Sequence, residues 1–314
     1  MNGHERMEAV LNHRPTDKIP HFEMVFQIPE EAFGLSWPST EEMLAALGTS
    51  KFAGIAERYF EVWDKILDTY HWDCVPIPHF THEGELDAAL LTMARDRYAN
   101  RAMVTCYNGN GTFWMPFGGD AMMDFTIRMY EDREGLHEEA EQRLQRSIEL
   151  AKRQVDAGAE FLFINSDYAY NNSPYISPKD FAELVTPYLA RNVQAFHDLG
   201  IKAILHSDGD LRTILDQLVS TGIDGYQSID PQANMDIKAV KEQYGDRLVL
   251  MGNVKTSMLQ DANEPEIRES VRYCCEYGKP GGGYIFSTSN CLFEGMPLKS
   301  YHIMLDEFHK YENY

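Results

Sequence analysis

His206, Ser207 and Asp208 follow one apolar run, and Cys291 follows another near the end of the chain. Two residues apart in extended backbone, His206 and Asp208 present their side chains on one face. A neutral imidazole and a carboxylate ligate zinc at ~2.0–2.2 Å, and a thiolate does so at ~2.3 Å. Three such ligands leave a fourth position open, the arrangement of a catalytic zinc. His206, Asp208 and Cys291 are the candidate metal set. The plainer alternative is that Asp208 caps the turn at Gly209 and His206 is a hydrogen-bonded wall residue.

Further polar residues fall where apolar runs end: His21, Glu23 and Gln27, then His79 and His82, Asn108 and Asn110, Asp167 and Tyr168, Gln227 and Asp230, Asn253, and Asn290. In a parallel α/β fold, the ends of strands and the loops after them carry the active site. His21, Gln227 and Asn253 are candidate substrate contacts on that ground. Polar loops and turn caps would give the same residue types for structural reasons alone.

The elements that must position these residues are read from periodicity. Residues 134–157 form a helix with Leu144, Ile148, Ala151 and Val155 on one face, stopped by Gly158. Phe161–Asn165 is a buried strand. Ser177 before Pro178, with Asp180 two residues on, starts a helix that runs to Gly200. Strands at 201–205, 223–229, 247–251 and 284–287 then alternate with helices at 211–222, 236–244, 264–277 and a last one ending near His309. Such alternation means a parallel sheet with right-handed crossovers. The first half is less regular: a helix at 3–12, then strands at 19–26, Cys74–Ile77 and Met103–Tyr107. Five strands plus three make eight, the count of a closed (β/α)8 TIM barrel with an N-terminal helical extension. An open doubly wound sheet is the alternative.

Composition sets bounds. The chain has 314 residues, 44% hydrophobic and 25% charged, so a large core is available and one barrel domain over 1–314 is expected. Lys and Arg total 28 against 49 Asp and Glu, a net charge of −21, which repels phosphate backbones and argues against nucleic acid. No apolar run reaches the ~18 residues of a membrane span, and the opening MNGHERMEAVLNHRP has no signal-like core. Five cysteines in so long a chain are not a disulfide framework. A reduced, cytoplasmic location is expected. Cys274 and Cys275 read as packing, His79 and His82 as solvated or substrate-lining, Gly281 to Gly283 as a tight loop, and the acidic stretch 131–141 as a solvated helix face.

Several stretches together resemble the uroporphyrinogen decarboxylase-like superfamily: SDYAYNNSPYISPKDF at 166–181, HSDGDL at 206–211, GIDG at 222–225, YGDRLVLMGNV at 244–254 and GGGYIFSTSN at 281–290. The resemblance covers most of 140–314 and only loosely the N-terminal third. It implies a (β/α)8 barrel with its site at the C-terminal rim. It also implies one of two activities, cofactor-free uroporphyrinogen decarboxylation or methyl transfer with a corrinoid protein. The decarboxylases carry paired arginines after the first strand. The matching stretch here, IPHFEMVFQIP at 19–29, has none and contains Glu23. An octa-anionic substrate would meet uncompensated repulsion there.

The resemblance to the corrinoid-dependent methyltransferases is closer. Their zinc ligands are a His-x-Cys pair and a distant Cys. His206 matches the first and Cys291 the last, while Asp208 replaces the middle Cys and makes a harder, more Lewis-acidic site. The implied reaction moves a methyl group from a small methylated compound, such as a methoxylated aromatic, to the cobalt of a partner corrinoid protein docked on the C-terminal rim. Asp167, Glu23 and Tyr168 are candidates for the acid that protonates the leaving group or for holding substrate. Phe26 and Tyr170, with Phe22, Trp114 and Phe117, are candidates for stacking on an aromatic ring. Ordinary packing explains most such aromatics. The alternatives are a metal-free lyase using Asp167 and His206, a zinc-dependent thiol methyltransferase, and a non-catalytic binding barrel. Association with a second copy of the chain is also open.

Overall fold

The structure is a computed structural model that describes residues 1–81, 84–109, 116 and 118–314. Its frame is a seven-stranded parallel sheet in the order β1 (Cys74–Ile77), β2 (Met103–Tyr107), β3 (Phe161–Asn165), β6 (Lys202–Ser207), β7 (Gly225–Ser228), β8 (Val249–Val254) and β9 (Tyr284–Thr288). Between β3 and β6 lies a short hairpin, β4 (Ala169–Tyr170) with β5 (Ser173–Pro174). Helices cover the outer face, so the strands are buried along both sides.

Residues 19–23 fill the eighth position of the barrel. Phe286 N–H donates to Pro20 O at 2.8 Å on one side, and Asp73 N–H donates to His21 O at 2.9 Å on the other. His21 also makes a parallel bridge to Phe286. The sequence predicts a full strand over 19–26. The structure has an extended segment with single bridges at His21 and Phe26. Pro20 lacks the N–H that a continuous ladder needs. Closure is also visible in the packing. Phe22 on this segment meets the ring of Phe163 on β3 at 6.3 Å, although β1 and β2 lie between them along the wall. Only contact across the interior allows that.

Two expected helices differ in form. The segment from Ser177 to Gly200 divides into Pro178–Leu184 and Thr186–Asp198, because Pro187 cannot donate into a continuous helix. In the helix Arg133–Ala157 the buried stripe includes Leu136, Ala140, Leu144, Ala151 and also polar Ser147 and Gln154, while Ile148 and Val155 flank it. The polar pair is drawn in by Asn108 at the end of β2, whose amide donates to Ser147 O at 3.1 Å and Gln154 Oε1 at 2.9 Å. The strands run further than expected at the site. β6 reaches Ser207 and β8 reaches Val254, so His206 stands in the wall.

Candidate active site at the C-terminal rim

Register places the site. Asn165, His206 and Gln227 are direct neighbours across β3, β6 and β7, so their side chains share a level. Gln227 is buried, with its Nε2 at 3.5 Å from both Thr288 O and Ser289 O, which turns Oε1 toward His206. His206 Nδ1 bonds that oxygen and is therefore the protonated nitrogen. Nε2 faces Asp167 Oδ1 at 3.6 Å and Asp208 Oδ2 at 4.0 Å. Both gaps are too long for hydrogen bonds. Donor atoms of Asp167, His206 and Asp208 all lie within 4.8 Å of one another.

The loops hold both carboxylates in place. Asp208 N–H donates to Asp167 Oδ1 at 3.0 Å. Ser228 Oγ donates to Asp208 Oδ1 at 2.5 Å, and Asn290 Nδ2 donates to Asp208 Oδ2. Ser228 and Ile229 both have positive φ, 99° and 50°. For a β-branched residue such as Ile229 this is a strained conformation, of the kind that collects at functional sites. Gly209 is required where it stands. Its φ is +88°, and a Cβ there would meet Ala169 O at 2.5 Å. That contact seats the β4–β5 hairpin against the 208–210 turn, which is fixed further by Asp210 N–H donating to Tyr170 O at 2.8 Å.

The hairpin brings in a residue the sequence did not single out. Tyr175 packs edge-on to Tyr170 with ring centroids 4.2 Å apart. Burial, with the Asp167 and Asp208 carboxylates, pushes its hydroxyl up to about 12. Burial also raises Asp208 above the usual carboxylate range, as do the charges of Asp167 and Asp230, against the pull of His206 and Ser228. Cys291 is pushed up to about 11 by burial and then by Glu23 and Asp208. Carboxylates thus bear on both Tyr175 and Cys291. Ser228 and Tyr175 could not be read ahead. Ser228 is a strand-end residue with no motif, and Tyr175 arrives through a two-residue hairpin.

The structure distributes the other expected residues around this cluster. Glu23 is fully buried, its Oε2 accepting from Thr288 N–H at 2.9 Å and Thr288 Oγ1 at 2.6 Å, while Oε1 has no hydrogen-bond partner among the described residues. His21 Nε2 lies 3.6 Å from Glu23 Oε1, and its ring is packed among Trp72, Phe286 and Phe308. Tyr168 is buried edge-on to Phe181. Phe26 sits among Phe33, Tyr70 and Trp72, and Phe22 is in the barrel interior. Tyr170 is half exposed beside the cluster. Asn253 turns away from it, donating to Ile229 O at 2.7 Å and accepting from Cys274 Sγ at 3.3 Å. It borders a separate cleft with Met235, Ile237 and Tyr273. Cys291 is partly exposed and is not among the converging donors. His79, expected to be solvated or substrate-lining, bonds the buried carboxylate of Asp87 at 2.5 Å. His82, Asn110, Trp114 and Phe117 lie outside the described residues.

The family model of uroporphyrinogen decarboxylase (URO-D) matches residues 117–311, more than half of the chain. Curated relatives carry the same name. One from Pseudoalteromonas atlantica is 23% identical over 194 residues, covering 58% of this chain and 50% of its own length. One from Aliivibrio salmonicida is 24% identical over 241 residues, covering 73% and 65%. The chain thus spans about half to two-thirds of the length of these relatives. Among solved structures, a methyltransferase from Methanosarcina mazei has a TM-score of 0.76 at 15% identity, with 99% of each chain covered. At that identity the likeness shows a shared fold. No described helix is long and apolar enough to cross a membrane.

Proposed function

The chain belongs to the uroporphyrinogen decarboxylase (URO-D) family, a family of enzymes, and from that premise we propose that it catalyses methyl transfer. In this reading it takes a methyl group from a small methylated compound, such as a methoxylated aromatic, and passes it to the cobalt of a partner corrinoid protein at the C-terminal rim. The observation that carries the reading is the charge of the mouth. The Asp167 and Asp208 carboxylates bear on Tyr175 and those of Glu23 and Asp208 on Cys291, and the 19–29 segment offers no arginine. Two like charges ~4 Å apart repel by about 4 kcal/mol at an effective dielectric of ~20. A substrate bearing eight carboxylates would meet that penalty repeatedly. A neutral methyl donor meets none of it.

Displacing a methyl group from oxygen leaves an alkoxide or phenolate, which must be stabilised or protonated. Tyr175 keeps its proton at neutral pH and so offers an O–H donor beside Asp167 and Asp208. His206 is held in one tautomer by Gln227, which fixes the direction of its Nε2. The zinc implied by the methyltransferase resemblance fits the donors present, since a neutral imidazole and carboxylates are ordinary zinc ligands. When bound, it would act as a Lewis acid that draws electron density from the leaving atom. Asp208, gripped by Ser228 and Asn290, would hold it together with His206.

A second reading has its own support in the names of the curated relatives. Asp167 and His206, 3.6 Å apart, would serve as acid and base for decarboxylating a small acid. One experiment separates the two. Purified chain is given reduced cobalamin with a panel of methoxylated aromatics, methanol and a methyl thioether, and separately a panel of small carboxylic acids. Demethylated product from the first panel supports methyl transfer. Carbon dioxide from the second, with no demethylation, replaces it by the lyase.

A further inference from the structure

The geometry points to a divalent-cation site built only from nitrogen and oxygen, with Asp167 as its third protein ligand and Cys291 outside it. The zinc sites that the sequence resembles contain thiolate, so the difference concerns what kind of ion this chain holds and what that ion does.

The first observation is His206. It is 92% buried, its Nδ1 proton is committed to Gln227, and its Nε2 has no hydrogen bond among the described residues. A buried ring nitrogen aimed between two carboxylates, with no hydrogen bond to either, is a position that a shared cation would satisfy. The second is spacing. Two atoms each ~2.1 Å from one ion at a tetrahedral angle stand about 3.4 Å apart. The gaps from Nε2 to Asp167 and Asp208, 3.6 and 4.0 Å, are within about half an ångström of that edge. Asp167 and Asp208 are also locked to each other, through Asp208 N–H on Asp167 Oδ1.

The third observation is what the last loop sends to the cluster. Leu292 is tied into the closing segment, its N–H on Val25 O at 3.1 Å and its carbonyl accepting from Gln27 N–H at 2.7 Å. From that anchored loop it is Asn290, not Cys291, that reaches Asp208. The loop's contribution is an amide that orients a carboxylate ligand, the outer support that metal ligands usually have. With one imidazole and two carboxylates, the protein supplies two negative charges and no sulfur. Such a set suits zinc, cobalt, iron or manganese in the divalent state and gives no advantage to thiophilic ions. The bound ion keeps more positive charge than one neutralised by thiolates. It is better suited to polarising an oxygen leaving group than to activating a thiol.

The ligand set deepens the proposed function, yet its test does not require methyl transfer. Metal bound as described without any demethylation would overturn the function and leave the site standing. Cobalt(II) is titrated into the full chain after chelator treatment. One ion per chain is expected, with weak visible bands and no strong near-ultraviolet sulfur-to-cobalt band. Cys291→Ser should bind cobalt within about threefold of the parent, and Asp167→Asn at least ~10-fold more weakly, with circular dichroism confirming both are folded. Cadmium-113 NMR of the parent reads the donor type without any variant, so a misfolded mutant does not remove the test. A sulfur band, or a cadmium shift in the thiolate range, assigns Cys291 and overturns the proposal. So does unchanged binding by a folded Asp167→Asn, or no cobalt bound by the folded parent.

Discussion

At the scale of the residue, the site depends on hydrogen bonds that aim other side chains. Gln227 is the clearest case. Gln227→Leu removes the acceptor on His206 Nδ1 and frees the ring to turn. Divalent-metal affinity should fall by ~10–100-fold while the melting temperature changes little, measured by competition with a chromogenic chelator. An affinity equal to the parent's would show that another group fixes His206. Cys291 makes an independent prediction. A thiol pushed up to about 11 is almost wholly protonated at pH 8, so alkylation by iodoacetamide, followed by peptide mass, should stay slow there and accelerate toward pH 11. Fast labelling of Cys291 at pH 8 would contradict its carboxylate surroundings. His206, Asp208 and Asp167 were legible in the sequence because they stand at the ends of apolar runs. The pairing of His206 with Asp208 was legible too, from their spacing; that Asp167 rather than Cys291 joins them was not, since it depends on which loop turns inward. Asp167 was read as an acid and Asn290 only as a loop residue, whereas the fold sets both against Asp208.

At the scale of the element, the mouth is shaped by the contact of the β4–β5 hairpin with the 208–210 turn. Gly209→Ala places a methyl group against Ala169 in a backbone conformation that suits glycine. Destabilisation by about 1–3 kcal/mol is expected from denaturant midpoints, together with weakened metal binding as Asp208 shifts. The barrel wall makes a larger prediction. Phe163→Ala removes a ring that meets Phe22, Tyr107 and Phe161 in the interior, and should cost about 3–5 kcal/mol. Strands from Phe161 onward were legible because apolar stretches such as 161–164, 203–205 and 249–251 alternate with helices. The closing segment was only partly legible. Its apolar content announces a strand, but Pro20 leaves it with single bridges. The helix break before Pro187 and the buried Ser147 and Gln154 were missed for a related reason. Periodicity weighs hydrophobicity, and here a proline and an amide network decide.

At the scale of the whole molecule, the excess of acids over bases appears again in the field at the rim. The two ends of the chain are joined at the opposite side of the wall. Ile19 N–H donates to Glu312 O at 2.8 Å, and Lys18 Nζ donates to Glu312 Oε2 at 2.9 Å. Burial raises the Glu312 carboxyl, but hydrogen bonds from His309 and Lys18 outweigh it and bring it down to about 2. A depressed folded-state value stabilises the fold above the ordinary Glu range, near 4.3, and the stabilisation is lost as pH falls toward 2. Glu312→Gln should therefore lower the melting temperature at pH 6, and the gap from the parent should close between about pH 4 and pH 2. The fold class could be read from the alternation of strands and helices, whereas the chemistry required the geometry of the rim. The most direct measurement is transfer of a carbon-13 methyl group from methoxylated aromatics to cobalt(I) cobalamin, followed by NMR, with the parent and Asp208→Asn side by side. Labelled methylcobalamin formed by the parent and reduced at least ~10-fold in the folded variant is the expected result. No labelled methylcobalamin from the parent, with its metal site loaded, would contradict methyl transfer.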